Sequence, residues 1–141
     1  MGWSFRNIIL TVPFWLIQLL ADGQNYIGMH RNEIVRLTPK EYKGFVFDKE
    51  VKNADRSFIK FVNAIDEQTL LFMVNGKGIC TSVSRMYNTW LYGQVYSDLE
   101  KNYIKVAANT WVEHKNGKEY EIKLKRGEWF ITVTIRSIIN K

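Results

Sequence analysis

The chain has 141 residues, with 20 Lys and Arg against 14 Asp and Glu, a formal net charge of +6, and a hydrophobic share of 46%. A single cysteine, Cys80, excludes an internal disulfide, so stability must come from packing. The basic residues stand singly between carboxylates, with Lys123, Lys125 and Arg126 the densest group, which argues against the continuous basic face that nucleic-acid binding uses.

Residues 1–23 have the layout of a secretory signal. Met1 to Asn7 carries Arg6 as its only charge, Ile8 to Leu20 is uncharged and almost wholly apolar, and Ala21-Asp22-Gly23 places small residues where a signal peptidase reads. The alternative is a retained anchor, but the apolar run is shorter than the roughly 20 residues a spanning helix needs, and Pro13 interrupts it. No cysteine follows the run, so lipid attachment there is not expected. The expectation is a signal peptide over 1–23, a single α+β domain over 24–141, a secreted or periplasmic location, and no stable membrane span after cleavage. Cleavage removes one base and one acid and leaves the charge at +6, which suits anionic neighbours such as envelope polymers or acidic proteins. A chain of this size can bury one hydrophobic core.

Met29 to Leu37 fits a short amphipathic helix through Ile34, Val35 and Leu37, limited by Thr38-Pro39 because proline disfavours helix in the residue before it. Lys40 to Asp55 reads as a brief extended piece at Gly44 to Asp48 followed by a polar loop. Three stretches, Ser57 to Val62, Thr69 to Val74 and Ile79 to Met86, read as a meander, with Asn75-Gly76-Lys77-Gly78 supplying positive-φ residues for a hairpin turn. Cys80 reads as a buried, inert thiol. From Asn88 to Tyr103 the period changes: Leu91, Val95, Leu99 and Tyr103 form one helical stripe, with Gln94, Ser97, Asp98, Glu100 and Lys101 on the other side.

The last segment reads as three strands, Trp111 to Lys115, Lys118 to Lys125 and Glu128 to Arg136. Asn116-Gly117 suits a two-residue type I′ turn, and Arg126-Gly127 a second tight turn. With both turns two residues long, Leu124 faces Trp129, Ile122 faces Ile131 and Tyr120 faces Val133 on the inner side. Outside, Lys125 meets Glu128. A slip of one residue would bury Glu119, Glu121, Lys123 and Lys125, which is prohibitive.

These elements predict an α+β fold: an antiparallel sheet of about six strands with two helices on one face. Thr69 to Met86 and Glu119 to Arg136 align at an offset of about 50 residues, which is consistent with an α-β-β-β duplication and equally with convergence on a common unit.

The catalytic inventory is thin. No His-x-x-x-His or Cys-x-x-Cys spacing, Gly-x-Ser-x-Gly elbow, phosphate loop or dinucleotide fingerprint occurs, so no catalytic residue, metal or cofactor is assigned. His114 reads as an exposed strand residue, and the carboxylate pairs Asp66-Glu67 and Asp98/Glu100 as solvated. Aromatic residues are the feature best suited to binding, although they also fill small cores. Trp129 and Tyr120 fit the inner face, whereas Phe130 falls on the outer face between Lys123 and Thr132. Phe130 and Val112 then form either an exposed apolar spot or a pair covered by a terminus. The expected function is a non-catalytic binding module for a protein or anionic envelope component, with Phe130, Val112, Lys123 and Thr132 as the contact surface. The alternative is a small envelope enzyme or ligand-binding domain with a pocket between the second helix and the sheet.

The stretches Gln24-Asn25-Tyr26-Ile27-Gly28-Met29, Glu67-Gln68-Thr69-Leu70-Leu71-Phe72 and Glu128-Trp129-Phe130-Ile131-Thr132-Val133 resemble those of small secreted hypothetical proteins common in Bacteroidetes bacteria. That resemblance covers most of the mature chain, implies export and brings no activity with it. The order helix, three strands, helix, three strands is similar to the tandem arrangement of β-lactamase inhibitory protein-like domains, which implies two α-β units in tandem. The Gly-Met-x-x-x-Glu-Ile helix entrance resembles the small outer-membrane assembly lipoprotein family. The last two are likenesses of fold and imply no function.

Overall fold

The computed structural model describes residues 24–138 except Asp55; the expected signal segment, residues 1–23, lies outside the described residues. These form two short helices, α1 (Arg31–Glu41) and α2 (Tyr92–Asn102), and eight strands. The strands are β1 (Val46–Val51), β2 (Ser57–Asn63), β3 (Gln68–Val74), β4 (Cys80–Asn88), β5 (Ile104–Ala107), β6 (Thr110–Lys115), β7 (Lys118–Arg126) and β8 (Phe130–Ser137). All lie in one antiparallel sheet in the order β1-β2-β3-β4-β8-β7-β6-β5. Each half of the chain is a helix followed by a four-strand meander, and the halves join where β4 pairs with β8.

The sheet thus has eight strands rather than about six, and each half four rather than three. The two additions, β1 and β5, are its edges. Edge strands satisfy only one side of their backbone and face solvent, so charges and irregularities accumulate on them. Asp48, Lys49 and Glu50 interrupt β1, which also carries a bulge between Phe47 and Lys49. β5 is four residues long and exposed throughout. Neither offers the alternation by which the inner strands are recognised.

Both helices cover the same face. One row of cross-strand partners, Glu50, Ile59, Phe72, Val83, Ile135, Ile122, Trp111 and Lys105, runs across the sheet on its inner side, and the six members between its ends are buried. Ile34 of α1 packs with Tyr26, Phe61 and Phe72 over the first half. Val95 and Leu99 of α2 pack with Tyr87, Trp111, Leu124 and Ile131 over the second.

Three local expectations are corrected. Proline does not stop α1 at Thr38: the helix runs to Glu41 with Pro39 inside it, because Pro39 lies in the last turn, where its fixed φ is helical and one backbone bond is lost. The Thr38 hydroxyl donates to the Ile34 carbonyl at 2.6 Å, and the Tyr42 N–H closes on the Thr38 carbonyl at 2.8 Å. On α2 the stripe holds, but Asp98 is buried beside it instead of solvated. Finally, the β7–β8 register is offset by four from a two-residue turn: Leu124 faces Val133, Ile122 faces Ile135 and Arg126 faces Ile131. The Asn116-Gly117 turn does form, both residues having positive φ (54° and 75°) between the paired Lys115 and Lys118.

An offset of four is even, so it preserves which side chains point inward. Tyr120, Ile122, Leu124, Ile131 and Val133 are all buried as expected. The difference falls on the connection, where residues 127–130 form a loop closed by the Gly127 N–H donating to the Phe130 carbonyl at 2.8 Å. Gly127 is required there, since a Cβ would lie 2.9 Å from that same carbonyl oxygen. Trp129 is thereby carried out of the core to 73% exposure.

Candidate functional site: the uncovered sheet face

With α1 and α2 on the inner side, no helix among the described residues lies on the outer face. Three rows of partners define it. The first is Phe58, Met73, Ser82, Arg136, Glu121, Val112 and Ile104; the second is Lys60, Leu71, Ser84, Thr134, Lys123 and Thr110. The third runs Val62, Thr69, Met86, Thr132 and Lys125. The β2–β3 side is mainly apolar, the β7–β8 side is cationic and hydroxyl-bearing, and the Ser84 and Thr134 hydroxyls are hydrogen-bonded at 2.8 Å where the two halves meet.

At the end of the third row, the 127–130 loop and the sheet enclose an open hollow of about 290 Å³, lined by Met86, Lys125, Gly127, Glu128, Trp129, Phe130 and Thr132. Met86, Thr132 and Lys125 are brought together by the β4–β8–β7 pairing, and Phe130 enters because its backbone pairs with Asn88 at the end of β4. Phe130 is 45% exposed and Trp90, just past β4, 77%. The Thr89 hydroxyl donates to the Glu128 carbonyl at 3.4 Å and ties the Trp90 segment to this loop.

Of the surface expected from sequence, Phe130 and Thr132 line the hollow and Lys123 lies two residues further along β7, opposite Thr134. Val112 does not join them. It sits on β6 opposite Glu121 and is 8% exposed, so the pairing of Phe130 and Val112 into one exposed apolar spot is corrected. The hollow's other apolar walls, Met86 and Trp129, depend on the β4–β8 register and the loop length, and neither is visible in local periodicity. The Gly127-Glu128-Trp129 spacing is the one local signal: a glycine beside two bulky residues is compatible with a four-residue loop as well as a tight turn.

The electrostatics of this side are uneven. Glu121 accepts from Arg136 Nε at 2.7 Å and has Lys123 Nζ at 3.8 Å. Lys125 faces Thr132 rather than Glu128, and among the described residues it has no ion-pair partner.

The inner face holds a second polar group that sequence reasoning does not detect. Arg85 of β4 is buried, and its Nε and Nη2 both donate to Gln68 Oε1. Its guanidinium carbon lies 5.2 Å from the Phe45 ring centre and 5.1 Å from that of Tyr87, within the range of cation–π attraction. Arg85 Nη1, the Tyr87 hydroxyl and Asp98 Oδ2 are buried without hydrogen-bond partners among the described residues. Burial raises the Tyr87 hydroxyl and the Asp98 carboxyl above their ordinary pKa values, Lys101 opposing the shift at Asp98. The space between α2 and the sheet is occupied by Val95 and Leu99 packed on Tyr87, Trp111 and Ile131. Cys80 is buried, and desolvation pushes its thiol up to about 12, the protonated and unreactive form.

Among the described residues no group of three or more His, Cys, Asp or Glu is arranged to hold a metal ion, and no helix is long and apolar enough to cross a membrane. No family model matches the chain, and no significant match is found among curated proteins or solved structures.

Proposed function

We propose that the protein is a secreted or periplasmic, non-catalytic binding module that takes another protein on its uncovered sheet face. The observation that carries this reading is the hollow at the β4–β8–β7 end, where Trp129, Phe130 and Met86 are presented beside Lys125 and Thr132 on a face that no helix among the described residues covers. Aromatic residues and methionine are the types enriched at protein interfaces, and anchors that fill such hollows dominate binding energy. The rigid sheet supplies the platform, so partner contacts need little ordering of the module itself.

Affinity capture from the native envelope fraction, with the captured protein identified and its binding remeasured in purified form, tests this with wild type against Phe130→Ala. Loss of a hot-spot aromatic weakens binding by about 2 kcal/mol or more, roughly thirtyfold. Equal binding by both proteins would remove this surface.

A further inference from the structure

We infer that the segment received by this face is extended and acidic, with an apolar side chain in the hollow and carboxylates on Lys125 and Lys123. This rests on the sheet-face reading above and adds the chemistry of the partner. Lys125 and Lys123 occupy alternate positions on the outer side of β7, opposite Thr132 and Thr134 of β8. Alternate residues of a strand lie about 7 Å apart. An extended partner strand repeats its own side chains at that spacing, so carboxylates two residues apart match the two ammonium groups one to one.

The charge pattern sets the order of residues in that segment. Glu128 is the acidic side chain lining the hollow, so an incoming carboxylate is repelled there and an apolar group is favoured between Met86, Trp129 and Phe130. Lys125 lines the same hollow on its β7 side and, among the described residues, has no ion-pair partner. One row further along, Lys123 is 3.8 Å from Glu121, whose carboxylate Arg136 already holds at 2.7 Å. Among the described residues the face therefore has an unmatched cation at Lys125 and, at Lys123, a second that shares the Glu121 carboxylate with Arg136. Thr132, Thr134 and Ser84 border the track with hydroxyls, which donate to carboxylates as readily as to each other. An apolar residue, then acids at the second and fourth positions after it, is the pattern these rows select.

The test is a titration of the isotope-labelled protein, followed by amide chemical shifts, with two synthetic peptides: acetyl-Phe-Ser-Glu-Ser-Glu-amide and acetyl-Phe-Ser-Lys-Ser-Lys-amide. The acidic peptide is expected to shift the amides of Met86, Lys125, Phe130 and Thr132 and to bind about tenfold more tightly than the basic one, the size two solvent-exposed ion pairs allow. In a Lys123→Glu/Lys125→Glu double variant the order of the two peptides should reverse, and in Lys125→Ala the difference should shrink; all the substitutions are at exposed positions, where effects on folding are small. Added salt should narrow the difference further. Absence of shifts with the acidic peptide, or the same order of affinity in wild type and double variant, overturns the inference. If the peptides fail while Phe130→Ala still abolishes envelope binding, the acidic segment falls and the sheet-face reading stands. If binding survives Phe130→Ala, both fall.

Discussion

Two tyrosines buried to the same degree should respond with opposite sign to loss of the hydroxyl. Tyr26 and Tyr87 are 1% and 0% exposed. The Tyr26 hydroxyl donates to Glu41 Oε2 at 2.7 Å, whereas that of Tyr87 is buried and has no hydrogen-bond partner among the described residues. Tyr26→Phe removes a bond to a charged acceptor; because Glu41 is exposed and can rehydrate, the cost is at the low end for such bonds, about 1 to 1.5 kcal/mol. Tyr87→Phe removes an unpaired polar atom whose desolvation costs about 1 to 3 kcal/mol, and gives up a few contacts of about 0.1 to 0.2 kcal/mol each. The net expectation is a gain of about 1 kcal/mol for Tyr87→Phe. Equilibrium urea unfolding measures both, with unchanged m-values showing that the variants unfold between comparable states. Each kcal/mol should also move the thermal midpoint by about 4 °C in a domain of this size. A loss of 1 kcal/mol or more in Tyr87→Phe would mean that the hydroxyl is satisfied, and would refute the account of the Arg85, Tyr87 and Asp98 interior.

Gly127→Ala should destabilise by about 1 to 2 kcal/mol, because its Cβ would meet the Phe130 carbonyl oxygen at 2.9 Å; urea unfolding showing no loss would mean that the loop closes differently. Asp98→Asn should raise stability at neutral pH. Burial raises the folded-state pKa of Asp98, so from the ordinary carboxylate range up to that raised value the folded state keeps a proton the unfolded state has released, and wild-type stability falls as pH rises through the window. The Asn variant should lack that slope in urea midpoints measured from acid to neutral pH, and lower stability of the variant at neutral pH would contradict it. The Cys80 thiol, buried and pushed up to about 12, should resist an aromatic disulfide reagent in the native protein and react fully in denaturant; rapid native reaction would place it nearer the surface.

The part of the candidate site that can be read from sequence is the part that depends on parity. Phe130, Thr132 and Lys123 share the outer face because residues two apart on a strand, or opposed across an antiparallel pair, share a side, and no even register shift alters that. Val112 also has outer-face parity, yet it is covered on β6, since parity gives direction and not depth. Met86, Lys125 and Trp129 converge with Phe130 through the pairing of β4 with β8 and the length of the 127–130 loop. Asp98 shows the same limit on the inner side: its position on α2 lies beside the apolar stripe, and only the packing of α2 on the sheet decides that it is buried.

Local sequence by itself determined the alternation of β7 and β8, the positive-φ turn at Asn116-Gly117 and the apolar stripe of α2, because each is set by residues within a few positions of one another. Tertiary structure alone decided the edge strands, the offset of four between β7 and β8, and the union of the two meanders through β4 and β8. Those outcomes depend on contacts such as Ser84 with Thr134, 50 positions apart in the chain, whose free energy comes from a sheet assembled as a whole, and which no short stretch of residues encodes.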